Sequence, residues 1–217
     1  MVPEACEAKL LGVNYDAGLT FRGHLECVAK RASQRLGLMK RASRVLDQRG
    51  LTAIYKGFVR PVMEYTSICW MSAAPTYLHR LDRLQERAMR TIGPDVFVDG
   101  LDHRRRVGAI TYLFKLMCAE APAEVAKLVP ARLQLPRRPI TRRQVQTCSG
   151  HGFLLSNPLP IGAADRIRRA FPFCIINDWN SLPPVLFDGG IKLKAIQRFK
   201  EIVHMELRKK IATEAGV

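Results

Sequence analysis

Acidic side chains are scarce in this chain: 19 Asp and Glu stand against 35 Lys and Arg, a formal net charge of +16 over 217 residues. No two Asp residues are adjacent, which excludes a centre built from neighbouring aspartates holding a pair of metal ions. The six cysteines, Cys6, Cys27, Cys69, Cys118, Cys148 and Cys174, fall singly, so no Cys-x-x-Cys pair begins a zinc site or a redox motif. Cys148 with His151 offers two of the four ligands a zinc knuckle needs, and no metal is assigned there. No run of 18 or more apolar residues occurs, and the first twenty residues lack the basic-then-apolar order of a signal peptide. The expectation is an intracellular protein, nuclear or cytoplasmic, with no membrane partner. Gly189-Gly190 lacks the spacing of a phosphate-cradling loop and reads as a turn. His24, His79, His103, His151 and His204 sit in no local catalytic signature, and no repeat of 20 to 50 residues is present. No catalytic residue and no cofactor are assigned to this stretch.

What is present is positive charge on a chain able to fold. Hydrophobic residues make up 47% of it, enough for one sizeable core or two small ones. A field this lopsided attracts polyanions and gains entropy by releasing their counterions, so nucleic acid is the expected partner.

The patterning is mainly α. Leu10 to Val13 and Leu19 to Phe21 read as short strands around a turn at Asn14, Asp16 and Gly18. From His24 to Leu46, Leu25, Val28, Ala32, Leu36 and Met39 recur at spacings of three and four, which predicts an amphipathic helix. Its other side carries Lys30, Arg31, Arg35, Lys40, Arg41 and Arg44, opposed locally by Glu26 and Asp47 alone. A merely solvated face mixes signs, so these cations are assigned to phosphate contact.

Asp47 to Gly50 reads as a turn. A second helix is expected from about Thr52, bent or divided at Pro61. Tyr55, Phe58, Tyr65 and Trp70 share its apolar stripe and read as core, not as a platform for stacking bases. Thr76 is expected to cap a third helix that Gly93-Pro94 stops. A fourth should follow Asp102 with Arg104, Arg105 and Arg106 in its first turn, where cations oppose the helix dipole unless an acid or a ligand compensates. Pro122 opens a short fifth helix, an Arg- and Pro-rich arm follows, and a last helix runs from about Lys194 to Ile211.

Three stretches carry a resemblance. The opening, Lys9-Leu10-Leu11-Gly12-Val13 through Phe21 to His24, resembles the handover from palm to thumb in a reverse transcriptase. Arg60-Pro61-Val62-Met63-Glu64-Tyr65 to Trp70, and Leu81-Asp82-Arg83-Leu84-Gln85-Glu86-Arg87, resemble the region after the polymerase core in non-LTR (LINE-type) retrotransposon reverse transcriptases. So does Trp179-Asn180-Ser181-Leu182-Pro183, the most distinctive phrase.

The resemblance implies a helical, thumb-like bundle with a short N-terminal β-hairpin remnant and a loosely packed C-terminal helical segment. Residues 1–22 would be the palm edge, 23–130 the thumb-like region, 131–165 a basic arm, and 166–217 the C-terminal segment. Leu11 and Gly12 would occupy primer-grip positions, where backbone approaches a primer terminus. Trp70, Trp179, Asn180, Leu182 and Pro183 would be structural motif positions. Arg104, Arg105 and Arg106 join the helix cations as candidate nucleic-acid contacts. The family's two-metal chemistry needs Mg²⁺ held by aspartates that would lie ahead of Met1, so this stretch is expected not to polymerise alone. Sequence-tolerant binding of RNA, DNA or hybrid duplex would remain. The competing expectations are a module that pairs with a missing palm or with a second copy of itself, and a decayed reading frame without a stable product.

Overall fold

A computed structural model describes residues 7–118, 123–127, 129–132, 151–187 and 196–214. Two strands pair antiparallel at the start, β1 (Glu7–Leu10) and β2 (Val13–Asp16), in the register Glu7 to Asp16 and Leu10 to Val13. The rest is mainly helical. The chain divides into two compact units, residues 1–105 and 106–217.

The hairpin differs from the expected one. Leu11 and Gly12 have φ of +48° and +83°, so the chain reverses there, and Leu10 and Val13 face each other across a two-residue turn. Turns of this hand match the twist of paired strands and require positive φ at both central positions. Asn14 and Asp16 thus lie inside β2, and Leu19 to Phe21 is not a strand. The Asp16 carboxylate instead accepts the N–H groups of Thr20 (2.9 Å) and Phe21 (2.7 Å) and the Thr20 hydroxyl (3.1 Å). Burial opposes its charge, but these bonds together outweigh burial and hold the carboxyl below its ordinary range. They tie the hairpin to the start of the first helix.

Helix α1 (Arg22–Ala42) buries His24, Leu25, Val28, Ala32, Leu36 and Met39 along one side. Lys40 and Arg41 in its last turn complement the dipole. It ends four residues earlier than the apolar spacing suggests, because Asp47 does not make a free turn: its carboxylate caps α2 (Gln48–Ile54), accepting the Gly50 N–H at 2.8 Å. A π-helical turn, Tyr55–Val59, precedes α3 (Arg60–Glu64), which carries Pro61 in its first turn. The chain then breaks at Tyr65 and Thr66 (φ +51°) before α4 (Ser67–Trp70).

The π-helical turn and this break overturn part of the expected core. Tyr55 and Trp70 are fully buried, whereas Tyr65 is 57% exposed and Phe58 40%. A spacing counted across an interrupted helix loses its phase, so residues beyond the interruption no longer share the earlier face. Helix α5 (Pro75–Ile92) starts at the proline, with Ala74 at the cap position and Thr76 inside, so Thr76 is not the cap. Gly93 (φ +116°) ends it as expected. Val13, Phe21, Tyr55, Met63, Trp70 and Leu81 join the α1 stripe in one core.

Helix α6 (Leu101–Met117) crosses the division between Arg105 and Arg106. In the second unit a short α7 (Ala123–Ala126) is followed by α8 (Asp165–Arg169), α9 (Ile176–Asn180) and α10 (Ile196–Glu214). Phe114 stacks on Phe199 with ring centroids 4.1 Å apart, and Trp179, Phe187 and His151 complete an aromatic core. Most of the expected basic arm, with Arg137, Arg138, Arg142 and Arg143, lies outside the described residues, as do Pro122, Cys6, Cys148 and Gly189-Gly190.

Candidate nucleic-acid interface

The Trp-Asn-x-Leu-Pro phrase is a structural clamp. Trp179 is fully buried and donates from Nε1 to the Phe153 carbonyl at 2.8 Å. Asn180 closes both backbone groups of Leu155, accepting its N–H and donating to its C=O, each at 2.9 Å. His151 meets the Trp179 carbonyl through Nε2 at 2.9 Å and accepts the Phe153 N–H at Nδ1. Burial lowers its pKa, against the opposing effect of the bond to Trp179. Leu182 is buried and Pro183 leads into a 3₁₀ turn, Pro184–Phe187. In the first unit Trp70 plays a similar part, fully buried with Nε1 donating to the Tyr65 carbonyl at 3.0 Å.

The candidate cations separate into two groups. Arg104 forms a two-pronged pair with Glu64. Arg105 is buried against Asp82 at 3.3 Å, and Arg106 makes two bonds to the buried Asp178 at 2.8 and 3.0 Å. Acids therefore supply the compensation that arginines in the first turns of a helix require. Arg35 is also engaged: it donates to the Phe58 carbonyl at 2.6 Å and lies over the Phe58 ring, 4.5 Å from its centroid. Lys30, Arg31, Lys40 and Arg41 are exposed along α1 and Arg44 in the turn after it, and among the described residues no ion pair reaches them.

Sequence reasoning missed a second set of cations. Arg80, Arg83 and Arg87 on α5 face Lys30, Ser33 and Glu26 of α1 across a groove of about 450 Å³. Their spacing of three and four places them on one face over roughly 10 Å of helix. Glu26 pairs with Arg22 at 3.2 Å and more loosely with Arg80 at 3.9 Å, so one carboxylate serves several cations. The spacing in Arg80-x-x-Arg83-x-x-x-Arg87 was the available signal.

On the hairpin side of α1 the surface changes character. Leu11 and Gly12 form the exposed hairpin tip, and the Tyr65 hydroxyl donates to the Leu11 carbonyl at 3.0 Å. Beneath them lies a cleft of about 400 Å³ whose lining includes Pro61, Val62, Val28, Arg31 and His24. His24 accepts the Asn14 N–H at Nδ1 (3.3 Å), which leaves the ring proton on Nε2, buried and without a partner. Burial first, and Arg31 second, lower its pKa.

A curated relative, described as "Probable RNA-directed DNA polymerase from transposon BS" from Drosophila melanogaster, is 34% identical over 96 residues, covering 42% of this chain and 10% of that protein. The match supports a relationship to transposon-encoded reverse transcriptases. The chain spans about a tenth of that relative's length. No family model matches, and no solved structure matches.

Proposed function

We propose that this chain is a thumb-like, non-polymerising portion of a LINE-type retrotransposon reverse transcriptase, and that it holds template and primer nucleic acid by the phosphate backbone. The observation that carries the reading is the set Lys30, Arg31, Lys40 and Arg41 on α1 with Arg44 just beyond its end, exposed and without an ion pair among the described residues. Arg80, Arg83 and Arg87 extend it across the neighbouring groove. The similarity to a transposon RNA-directed DNA polymerase supports the same class. Contacts of this kind fix a strand without reading its sequence. Arg104, Arg105 and Arg106 leave the proposed contact set, because carboxylates already engage them.

The test is equilibrium binding of a labelled RNA–DNA hybrid across a salt series. Log K should fall linearly with log salt, by about 0.9 per neutralised phosphate. Replacing Lys30, Arg31, Arg41 and Arg44 together by Gln should flatten that slope by up to about 3.6. An unchanged slope would contradict the proposal. Self-association that survives high salt, with no nucleic-acid binding, would favour the interaction module instead.

A further inference from the structure

The cleft beneath the hairpin tip has a different chemistry from the cationic helix beside it. Tyr65 stands more than half exposed, with its hydroxyl anchored to the hairpin tip. Its hydroxyl donates to the Leu11 carbonyl, and a Cβ at Gly12 would meet the ring edge at an ordinary contact distance of 3.5 Å. The burial of Tyr55 and Trp70 on either side of it in sequence shows that the exposure belongs to Tyr65, not to a generally loose segment. Pro61 and Val62 add an apolar wall, Arg31 contributes the lining cation, and among the described residues no carboxylate lines the cleft. His24, also in the lining, carries a buried N–H for which the described residues supply no acceptor. An orphan donor of this kind is costly to keep unless something else satisfies it.

We infer that this cleft accepts one unpaired base of the bound strand, stacked on the Tyr65 ring, with Arg31 on the adjoining phosphate. A pre-positioned aromatic ring next to a cation is the pairing that single-stranded nucleic acid uses, since every base presents a π-face and every nucleotide a phosphate. All four bases also carry ring or carbonyl acceptors within reach of a donor such as His24 Nε2–H, given a small shift of the surrounding side chains. A volume of about 400 Å³ lies in the range of small-ligand clefts. This inference rests on the backbone-binding reading and adds a preference to it: duplex ending in unpaired nucleotides over blunt duplex.

The full chain would be titrated by fluorescence anisotropy against a blunt duplex and against the same duplex with a short single-stranded extension. A stacked base should make the extended duplex bind about tenfold tighter. With 2-aminopurine as the unpaired base, its fluorescence should be quenched on binding, a readout that needs no variant. Tyr65→Leu should bring the affinity ratio of extended to blunt duplex close to one, and Tyr65→Phe, which keeps the ring, should largely preserve it. Thermal melts of both variants establish that they fold. Equal affinity for the two duplexes in the unaltered protein, or an unchanged ratio and quench in Tyr65→Leu, would overturn the cleft while leaving backbone binding standing. Failure to bind either duplex would overturn both.

Discussion

Each compact unit buries a histidine beside a tryptophan, and the two pairs end differently. His24 lies 6.4 Å from Trp70 and His151 lies 6.0 Å from Trp179, measured between ring centroids. Both accept a backbone N–H at Nδ1, and both must therefore carry their proton on Nε2. In the second unit that proton meets the Trp179 carbonyl, while in the first it meets no acceptor among the described residues. The same contrast holds for charge. Asp178 gathers Arg106 and Lys210, each at 2.8 Å, whereas among the described residues no carboxylate pairs with Lys30, Arg31, Lys40, Arg41 or Arg44. Around Trp179 and Asp178 the second unit closes its polar groups on itself. The first leaves donors and cations open, and open chemistry is what a ligand can use.

Substitutions can break this contrast, and the largest effect should come from the closed side. Trp179→Ala removes a fully buried indole and its bond to Phe153, and should cost about 3–5 kcal/mol in denaturant unfolding. Asn180→Ala strands the N–H and C=O of Leu155, for about 1–3 kcal/mol. Arg104→Gln breaks a partly exposed two-pronged pair with Glu64 and should cost about 1–2 kcal/mol after solvent screening, with the salt slope of binding unchanged. Lys30→Gln should behave inversely, shifting stability by less than about 0.5 kcal/mol while lowering the slope. An equal loss of slope in both would erase the distinction between engaged and open cations.

The smallest effect is a pH dependence common to both units. A histidine whose pKa is lowered by folding is protonated first in the unfolded chain, so the unfolded state binds more protons and stability rises with pH. The contribution of His24 and His151 is fully present above their ordinary value of about 6.5 and is lost as the pH falls from there through the folded-state values. Protonation at Nδ1 would also set an N–H against the N–H of Asn14 or of Phe153. Unfolding free energies measured from pH 7.5 to 5 should fall, and His24→Gln and His151→Gln should each shrink the fall.

The amino-acid order revealed the architecture better than the partners. Uninterrupted helices such as α1 and α5 were legible because an apolar stripe at 3.6-residue spacing survives any tertiary setting. The hairpin was displaced because Leu11 is an unusual residue for a positive φ, and only Gly12 hinted at the true turn. Tyr65 was misplaced because the π-helical turn, Pro61 and the break at Thr66 reset the helical phase three times within a dozen residues. The open or engaged state of an arginine depends on carboxylates distant in the chain, Glu64 for Arg104 and Asp178 for Arg106, and no local pattern encodes that. The Trp179-Asn180 phrase stood out in the sequence, and in the structure these side chains bond the Phe153 to Leu155 segment, a pairing no local pattern encodes.

Photo-cross-linking of the full chain to a 4-thiouridine-containing RNA–DNA hybrid, with the attached peptides read by mass spectrometry, tests the central contrast most directly. Cross-links should concentrate in peptides from residues 22–44 and 80–90, with a further site near Tyr65 when the hybrid ends in unpaired nucleotides. Cross-links confined to residues 151–187 would contradict the account, because they would place the nucleic acid on the segment around Trp179 and Asp178, whose polar groups already engage one another.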